Sequence, residues 1–199
     1  LGISCSPRRR GNTEVLVNEA LDSARDSEAE VELVTIADKN IAPCDGCESC
    51  RTTGQCKIDD DMQAIYSRLL EADGIIFGTP VYYWNVTAQA KALIDRTFVF
   101  SRGRRLRNKV AGVVVVARRS GATHAFSASH NFFNIQRMIS VAGAVTYAGE
   151  QAIGTGDRGG GAIAFADKKG DVREDKRGMA EARALGKAIV NTILRYKRE

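Results

Sequence analysis

Four of the chain's five cysteines stand at positions 44, 47, 50 and 56. Cys44, Cys47 and Cys50 recur two residues apart, so their thiols can converge on one site without long-range folding, and Cys56 supplies a fourth donor nearby. Thiolate is a soft ligand, and a set of four selects zinc or an iron–sulfur cluster. Zinc sites more often pair two Cys-x-x-Cys units across a longer spacer. Free thiols and a disulfide remain open beside the two metal readings, because a short motif has false positives. Asp45, Glu48 and Lys57 around the group would tune its potential and the docking of a partner.

A second candidate is the run Ser4-Cys5-Ser6-Pro7-Arg8-Arg9-Arg10-Gly11-Asn12-Thr13. Small hydroxyl residues, a proline, arginines and a glycine lie between an extended apolar start and a helical pattern, with Asn12 and Thr13 suited to capping that helix. Such a joint presents backbone N–H groups at the positive end of a helix dipole and suits a phosphate. The competing reading is a charged surface loop. A third stretch, Thr79-Pro80-Val81-Tyr82-Tyr83-Trp84-Asn85, carries the single tryptophan beside two tyrosines. Flat amphipathic rings suit contact with a planar ligand, although each could instead fill core or a dimer interface. His124 and His130 fit one helix face, but two histidines without a third ligand are weak evidence for metal, so a solvated or interface role is expected.

The elements that must position these residues alternate in the βαβ manner. Extended segments are expected at 1–3, 31–36, 74–78, 110–117 and 144–147. Helical spacing is expected for Val15 to Ala24, Met62 to Leu70, 86–98 and 123–142. A closing helix carries Met179, Ala182, Leu185, Ile189 and Ile193, and a glycine-rich loop at 154–170 leads to it. Asp59, Asp60 and Asp61 read as a helix start in preference to a metal cluster. The apolar run 110–117 is the clearest strand, buried on both faces and central. Five strands alternating with helices predict an α/β fold with an open parallel sheet covered on both faces, its ligand at the carboxyl ends of the strands.

With 199 residues, no internal repeat and no linker, residues 1–199 are read as a single domain. No apolar run approaches the roughly 20 residues that a membrane helix needs. The chain starts inside its first strand without a methionine, which predicts a few leading residues, and no signal-peptide pattern opens it. Clustered cysteines and that missing leader predict a reducing cytoplasm. The net charge of +5, concentrated at Arg8 to Arg10 and Arg102 to Lys109, is assigned to anionic cofactors or an acidic protein, not nucleic acid, since no exposed aromatics interleave with it.

Three stretches in order, Gly2-Ile3-Ser4-Cys5-Ser6-Pro7-Arg8 with Gly11-Asn12-Thr13, Glu71-Ala72-Asp73-Gly74-Ile75-Ile76-Phe77-Gly78-Thr79-Pro80-Val81-Tyr82, and Lys91-Ala92-Leu93-Ile94-Asp95-Arg96, closely resemble the flavodoxin-like NAD(P)H-dependent FMN reductases. The compact cysteine triple resembles the cluster motif of their iron–sulfur flavoprotein branch. The resemblance implies a flavodoxin-like three-layer sandwich whose five-stranded parallel sheet has the order 2-1-3-4-5. It implies that Ser4, Ser6, Arg8, Asn12 and Thr13 hold the FMN phosphate, and that Pro80, Val81, Tyr82, Tyr83, Trp84 and Asn85 line the isoalloxazine. Arg118, Ser120 and Gly121 would close the ring's far side. Cys5 stands where many relatives have glycine and reads as structural. Cys44, Cys47, Cys50 and Cys56 of the 43–57 loop would hold a [4Fe–4S] cluster that passes electrons to FMN, with ferredoxin or another small carrier as partner. In the cluster-free alternative, NAD(P)H reduces FMN, and flavin, quinone or an oxygen species is the acceptor. No catalytic side chain is required, and a homodimer or dimer of dimers is expected. A flavodoxin-like binding protein without turnover is the remaining reading.

Overall fold

The computed structural model describes residues 1–141, 162–165 and 169–197. Strand β1 (Gly2–Ser4) is flanked by β2 (Leu33–Thr35) and β3 (Gly74–Pro80), both parallel to it. Strand β3 runs beside β4 (Val110–Ala117) over its whole length, from Gly74 opposite Val110 to Pro80 opposite Val116. Every residue of β4 is buried, as its unbroken apolar run requires of a central parallel strand. The order β2-β1-β3-β4-β5 is the flavodoxin-like order expected from the sequence.

The fifth position of the sheet is filled in an unexpected way. Strand β5 (Ile139–Ser140) pairs with Val110 and Ala111, and β6 (Ala162–Phe165) pairs with Val114 to Ala117. Residues 139–140 had been expected inside a helix spanning 123–142, but α5 (Ala122–Ile135) stops earlier. Arg137 adopts a left-handed φ of 57°, the Met138 amide reaches back to the Phe133 carbonyl at 2.9 Å, and the chain turns into the sheet. Met138 and Ile139 kept an apolar helical spacing past this point, and no glycine marked the stop. The strand expected at 144–147 and most of the loop expected at 154–170 lie outside the described residues.

Helices cover both faces. On one side α1 (Asn12–Arg25) and α6 (Lys176–Tyr196) pack Leu16, Val17, Ala20, Leu185 and Ile189 against Ile76 and Val114. On the other, α3 (Met62–Glu71), α4 (Ala88–Arg96) and α5 pack Met62, Ile65, Leu69, Leu93 and Phe133 against Ile3, Phe77 and Val113. The helix expected to run to Phe98 ends at Arg96 and tightens into a 3-10 turn at Thr97–Phe100, which turns Phe98 outward, 42% exposed. A short helix α2 (Ser49–Thr53) lies in the cysteine segment. Among the described residues no helix is long and apolar enough to cross a membrane.

The contact between α1 and α6 depends on Gly186. A Cβ there would lie 2.1 Å from the Ala20 carbonyl oxygen, a backbone atom that cannot rotate away. Gly186→Ala is therefore expected to force the helices apart at a cost of about 1–3 kcal/mol. For a chain of this size the melting temperature should fall by several degrees, about 2–4 °C per kcal/mol. An unchanged melting curve would show that the two helices slide freely.

Candidate functional site

The carboxyl ends of β1, β3 and β4 deliver three loops to one edge, and side chains tie them together. The Cys5 amide donates to the Gly78 carbonyl at 2.7 Å, and the Thr87 hydroxyl donates to the Cys5 carbonyl at 2.8 Å. The Val81 amide donates to the Val116 carbonyl at 2.8 Å. Positions of the first, second and third loops are thus coupled through buried bonds.

In the first loop the Ser6 hydroxyl accepts from the Arg8 amide at 3.2 Å, and the Gly11 amide returns to the Arg8 carbonyl at 3.2 Å. Gly11, not the Asn12-Thr13 pair, occupies the N-cap of α1, and no side chain caps the helix there. Asn12 and Thr13 lie in the first turn; Asn12 accepts from the Gly170 amide at 2.6 Å and Thr13 is buried. First-turn amides have no intrahelical partners, so an uncapped start leaves donors for an anion. Ser4 is fully buried, and its hydroxyl has no hydrogen-bond partner. Arg8 is exposed, while Arg9 pairs with Asp38. Cys5 is fully buried, and burial pushes its thiol well above the usual range, which suits a structural residue. An uncapped helix start, hydroxyls and a free arginine form a donor set that fits a phosphate monoester.

The second loop is a tight hairpin. Tyr82 and Asn85 exchange backbone hydrogen bonds of 3.0 Å in both directions, with Tyr83 and Trp84 between them at φ 45° and 62°. Two successive left-handed residues make a type I′ turn, which usually requires Asn or Gly. Nothing in Tyr-Trp signalled it. The turn carries Tyr82, Tyr83 and Trp84 outward, Tyr83 without any cover. Pro80 and Val81 are half-buried beneath them and Asn85 is exposed. The third loop abuts this hairpin: Gly121 sits at φ 85°, and a Cβ on it would lie 2.7 Å from Trp84 Cα. Arg118, Arg119 and Ser120 beside it are exposed. His124 meets the Trp84 ring edge-on at 5.4 Å, a contact absent from the sequence reading. His130 instead stacks on Phe126 at 3.9 Å, and burial lowers its pKa.

The four clustered cysteines line a single cavity of about 410 Å³ with Ile58, Arg96, Phe98 and Val99. Cys50 and Cys56 pack against the hydrophobic core, whereas Cys44 and Cys47 are exposed, and all four are free thiols. Burial raises the Cys50 pKa, and the Cys56, Cys47 and Cys44 sulfurs add to the effect. The Cys47 thiol and then Lys57 hydrogen-bond to Asp45, holding its carboxyl down to about 2. Among the described residues no three His, Cys, Asp or Glu side chains already stand in metal-binding geometry. The donor set is nonetheless all sulfur and faces one space, which fits a thiolate-ligated group in kind and number.

Sequence reasoning missed the buried group at the base of this segment. Arg96 donates to both oxygens of Asp60, at 2.7 and 2.9 Å, and to the Ala42 and Ile58 carbonyls at 2.9 and 3.3 Å. Burial alone would raise the Asp60 carboxyl; bonds from Arg96, Ala42 and Met62 outweigh it and hold the pKa below the ordinary value. The aspartate run does start α3, since Asp60 also accepts from the Met62 amide at 3.0 Å.

Residues 1–152 match the model of the NADPH-dependent FMN reductase family. An iron–sulfur flavoprotein of Methanocaldococcus jannaschii is 40% identical over 200 residues, spanning 100% of this chain and 98% of its own. An iron–sulfur flavoprotein of Methanosarcina thermophila is 40% identical over 143 residues, covering 70% of this chain and 75% of its own. Among solved structures, RosB with bound 8-demethyl-8-formylriboflavin-5'-phosphate superposes with a TM-score of 0.75 at 16% identity, over 99% of this chain and 79% of that one. At that identity the likeness speaks for the fold alone.

Gly121→Ala should disturb the hairpin, because a Cβ meets Trp84 backbone and an alanine resists φ 85°. The strain is of order 1–3 kcal/mol. Trp84 is the chain's single tryptophan, so its emission reports the change directly. A red shift is expected, with FMN affinity reduced about tenfold, equivalent to about 1.4 kcal/mol. Parental emission and affinity together would show that the hairpin does not rest on Gly121.

Proposed function

Since the chain belongs to the NADPH-dependent FMN reductase family, in its iron–sulfur flavoprotein branch, we propose that this flavin oxidoreductase passes electrons between a [4Fe–4S] cluster on the cysteine segment and FMN at the three-loop edge. The observation that carries the reading is the single cavity shared by Cys44, Cys47, Cys50 and Cys56. These four thiols are the proposed cluster ligands. Ser4, Ser6, Arg8, Asn12 and Thr13 are the proposed phosphate contacts: the helix start and hydroxyls supply hydrogen bonds, and Arg8 supplies the countercharge. Pro80 to Asn85 would orient the ring, with Arg118, Ser120 and Gly121 on its far side. Flavin supplies the hydride and single-electron chemistry, and the protein contributes position and potential.

NAD(P)H or a small iron–sulfur carrier such as ferredoxin is the proposed donor. Flavin, quinone or an oxygen species is the proposed acceptor. A homodimer, or a dimer of two dimers, working in a reducing cytoplasm completes the reading. The cluster-free alternative, an NAD(P)H-dependent FMN or quinone reductase, is favoured by one observation: Cys44 and Cys47 are exposed and the thiols do not yet close on one point.

Anaerobic purification with iron and acid-labile sulfide analysis separates the two. The cluster reading expects about four iron and four sulfide per chain. Cys50→Ala should lose most of that iron while keeping FMN. Iron near zero after reconstitution, with FMN bound, would leave the reductase reading. A protein that neither carries FMN nor quenches its fluorescence would overturn both.

A further inference from the structure

The cysteine segment has little scaffolding of its own. Its helix α2 is five residues long, and Gly46, Glu48 and Gly54 all sit at left-handed φ between 59° and 72°. What fixes the segment is its base, where Gln63 donates to the Cys56 and Ile58 carbonyls at 3.1 and 2.6 Å and an ion pair reaches both ends. The Asp60 carboxylate accepts from the Ala42 amide at 2.9 Å, and Arg96 donates to the carbonyls of Ala42 and Ile58. Ala42 lies two residues before Cys44, and Ile58 two after Cys56, so one ion pair clamps both ends. Tyr66 braces it, donating to the Arg96 carbonyl at 3.1 Å while its hydroxyl takes the Arg96 Nε–H at 3.3 Å. Both charged side chains are buried, Arg96 at 0% and Asp60 at 3% exposure.

A buried ion pair is a poor means of gaining stability, because desolvation offsets the attraction. Its geometry, however, is specific: a planar guanidinium bound to both oxygens of a carboxylate has one orientation. Here that orientation also sets Arg96 in the wall of the four-thiol cavity, whereas Asp60 is not part of that wall. Arg96 is thus the one cationic residue of that wall, beside the carboxylate residues Asp45, Glu48 and Asp95, and its own counterion stands outside.

We propose that Arg96 and Asp60 are positioning residues for the four-thiol site, closing the base of segment 43–57 and presenting a cation to the sulfurs. The role rests on the cluster reading and deepens it. An [4Fe–4S] centre gains one negative charge on reduction, so a nearby cation stabilises the reduced form and raises the potential. The two members of the pair then act with opposite signs on the potential, although both are needed for the clamp.

The test uses the FMN-loaded chain, reconstituted anaerobically, with the cluster potential followed by electron paramagnetic resonance. Asp60→Asn removes the counterion and should raise the midpoint potential. Asp60→Asn combined with Arg96→Gln removes the cation as well and should bring it below the parent's. Both should release iron to a chelator about tenfold faster, as loss of supporting contacts does at other metal sites. A parent without iron overturns the cluster reading and this role with it. A loaded parent whose variants keep its potential and release rate overturns the role and leaves the cluster reading standing. Shifts of the same sign in both variants, with loss of FMN, mark general loosening and also overturn it. Should Asp60→Asn fail to fold, Arg96→Lys carries the test. It keeps the charge but cannot span Asp60, Ala42 and Ile58, so faster release near the parental potential is expected and a parental rate overturns the role.

Discussion

The hydroxyl of Thr87 joins the parts of this molecule that have to work together. It is fully buried, donates to the Cys5 carbonyl and accepts from the Ala90 amide as the N-cap of α4. The first loop and a helix start thus meet at one oxygen, two residues beyond the aromatic hairpin. Leaving such buried backbone groups unpaired costs about 1–3 kcal/mol each, which is why the two share a fixed relation. From that cap α4 runs nine residues to Arg96, about 14 Å at 1.5 Å per residue. Its N-cap meets the first loop at Cys5, and its last residue bonds Ala42 and Ile58 on either side of the cysteine segment. One short helix is the strut between the two candidate sites.

The architecture was legible because it follows from patterning that few alternatives satisfy. A run such as Val110 to Ala117, apolar at every position, can be buried only between neighbours on both sides. Elements in βαβ alternation leave few topologies open. Two of the failures have a shared cause: a left-handed backbone angle that the residue type does not announce. Arg137 ends α5 in a conformation commonly given to glycine, so Met138 and Ile139 continued a helical rhythm into a strand. Tyr83 and Trp84 form a turn that sequence assigns to Asn-Gly, and only the packed Gly121 beneath explains why the fold holds them there.

The chemistry-bearing residues divide in the same way. Types and spacing marked the first loop and the four thiols as candidates, since soft donors two residues apart have few uses. The Arg96–Asp60 pair stayed hidden because each member had an adequate local role, one in the last turn of a helix and the other just before a helix N-cap. Nothing local links positions 36 apart, and only the fold brings them together. His124 was hidden for the same reason: its partner Trp84 lies on a different loop.

The two sites also differ in how far the fold has prepared them. At the three-loop edge the loops are tied by hydrogen bonds to backbone carbonyls, and a ligand there would meet donors already in place. At the thiol end only half of the set is fixed: Cys50 and Cys56 rest on the core above the clamp, while Cys44 and Cys47 stand exposed on a stretch with a left-handed glycine at its centre. A group bound by all four sulfurs would direct part of its binding free energy into ordering that outer half. The clamp limits this cost to a few residues, because ordering the chain costs about 1–2 kcal/mol per residue and the ends are already held. The fold thus builds the rigid half of the thiol site and leaves the remainder to the ligand's own coordination chemistry.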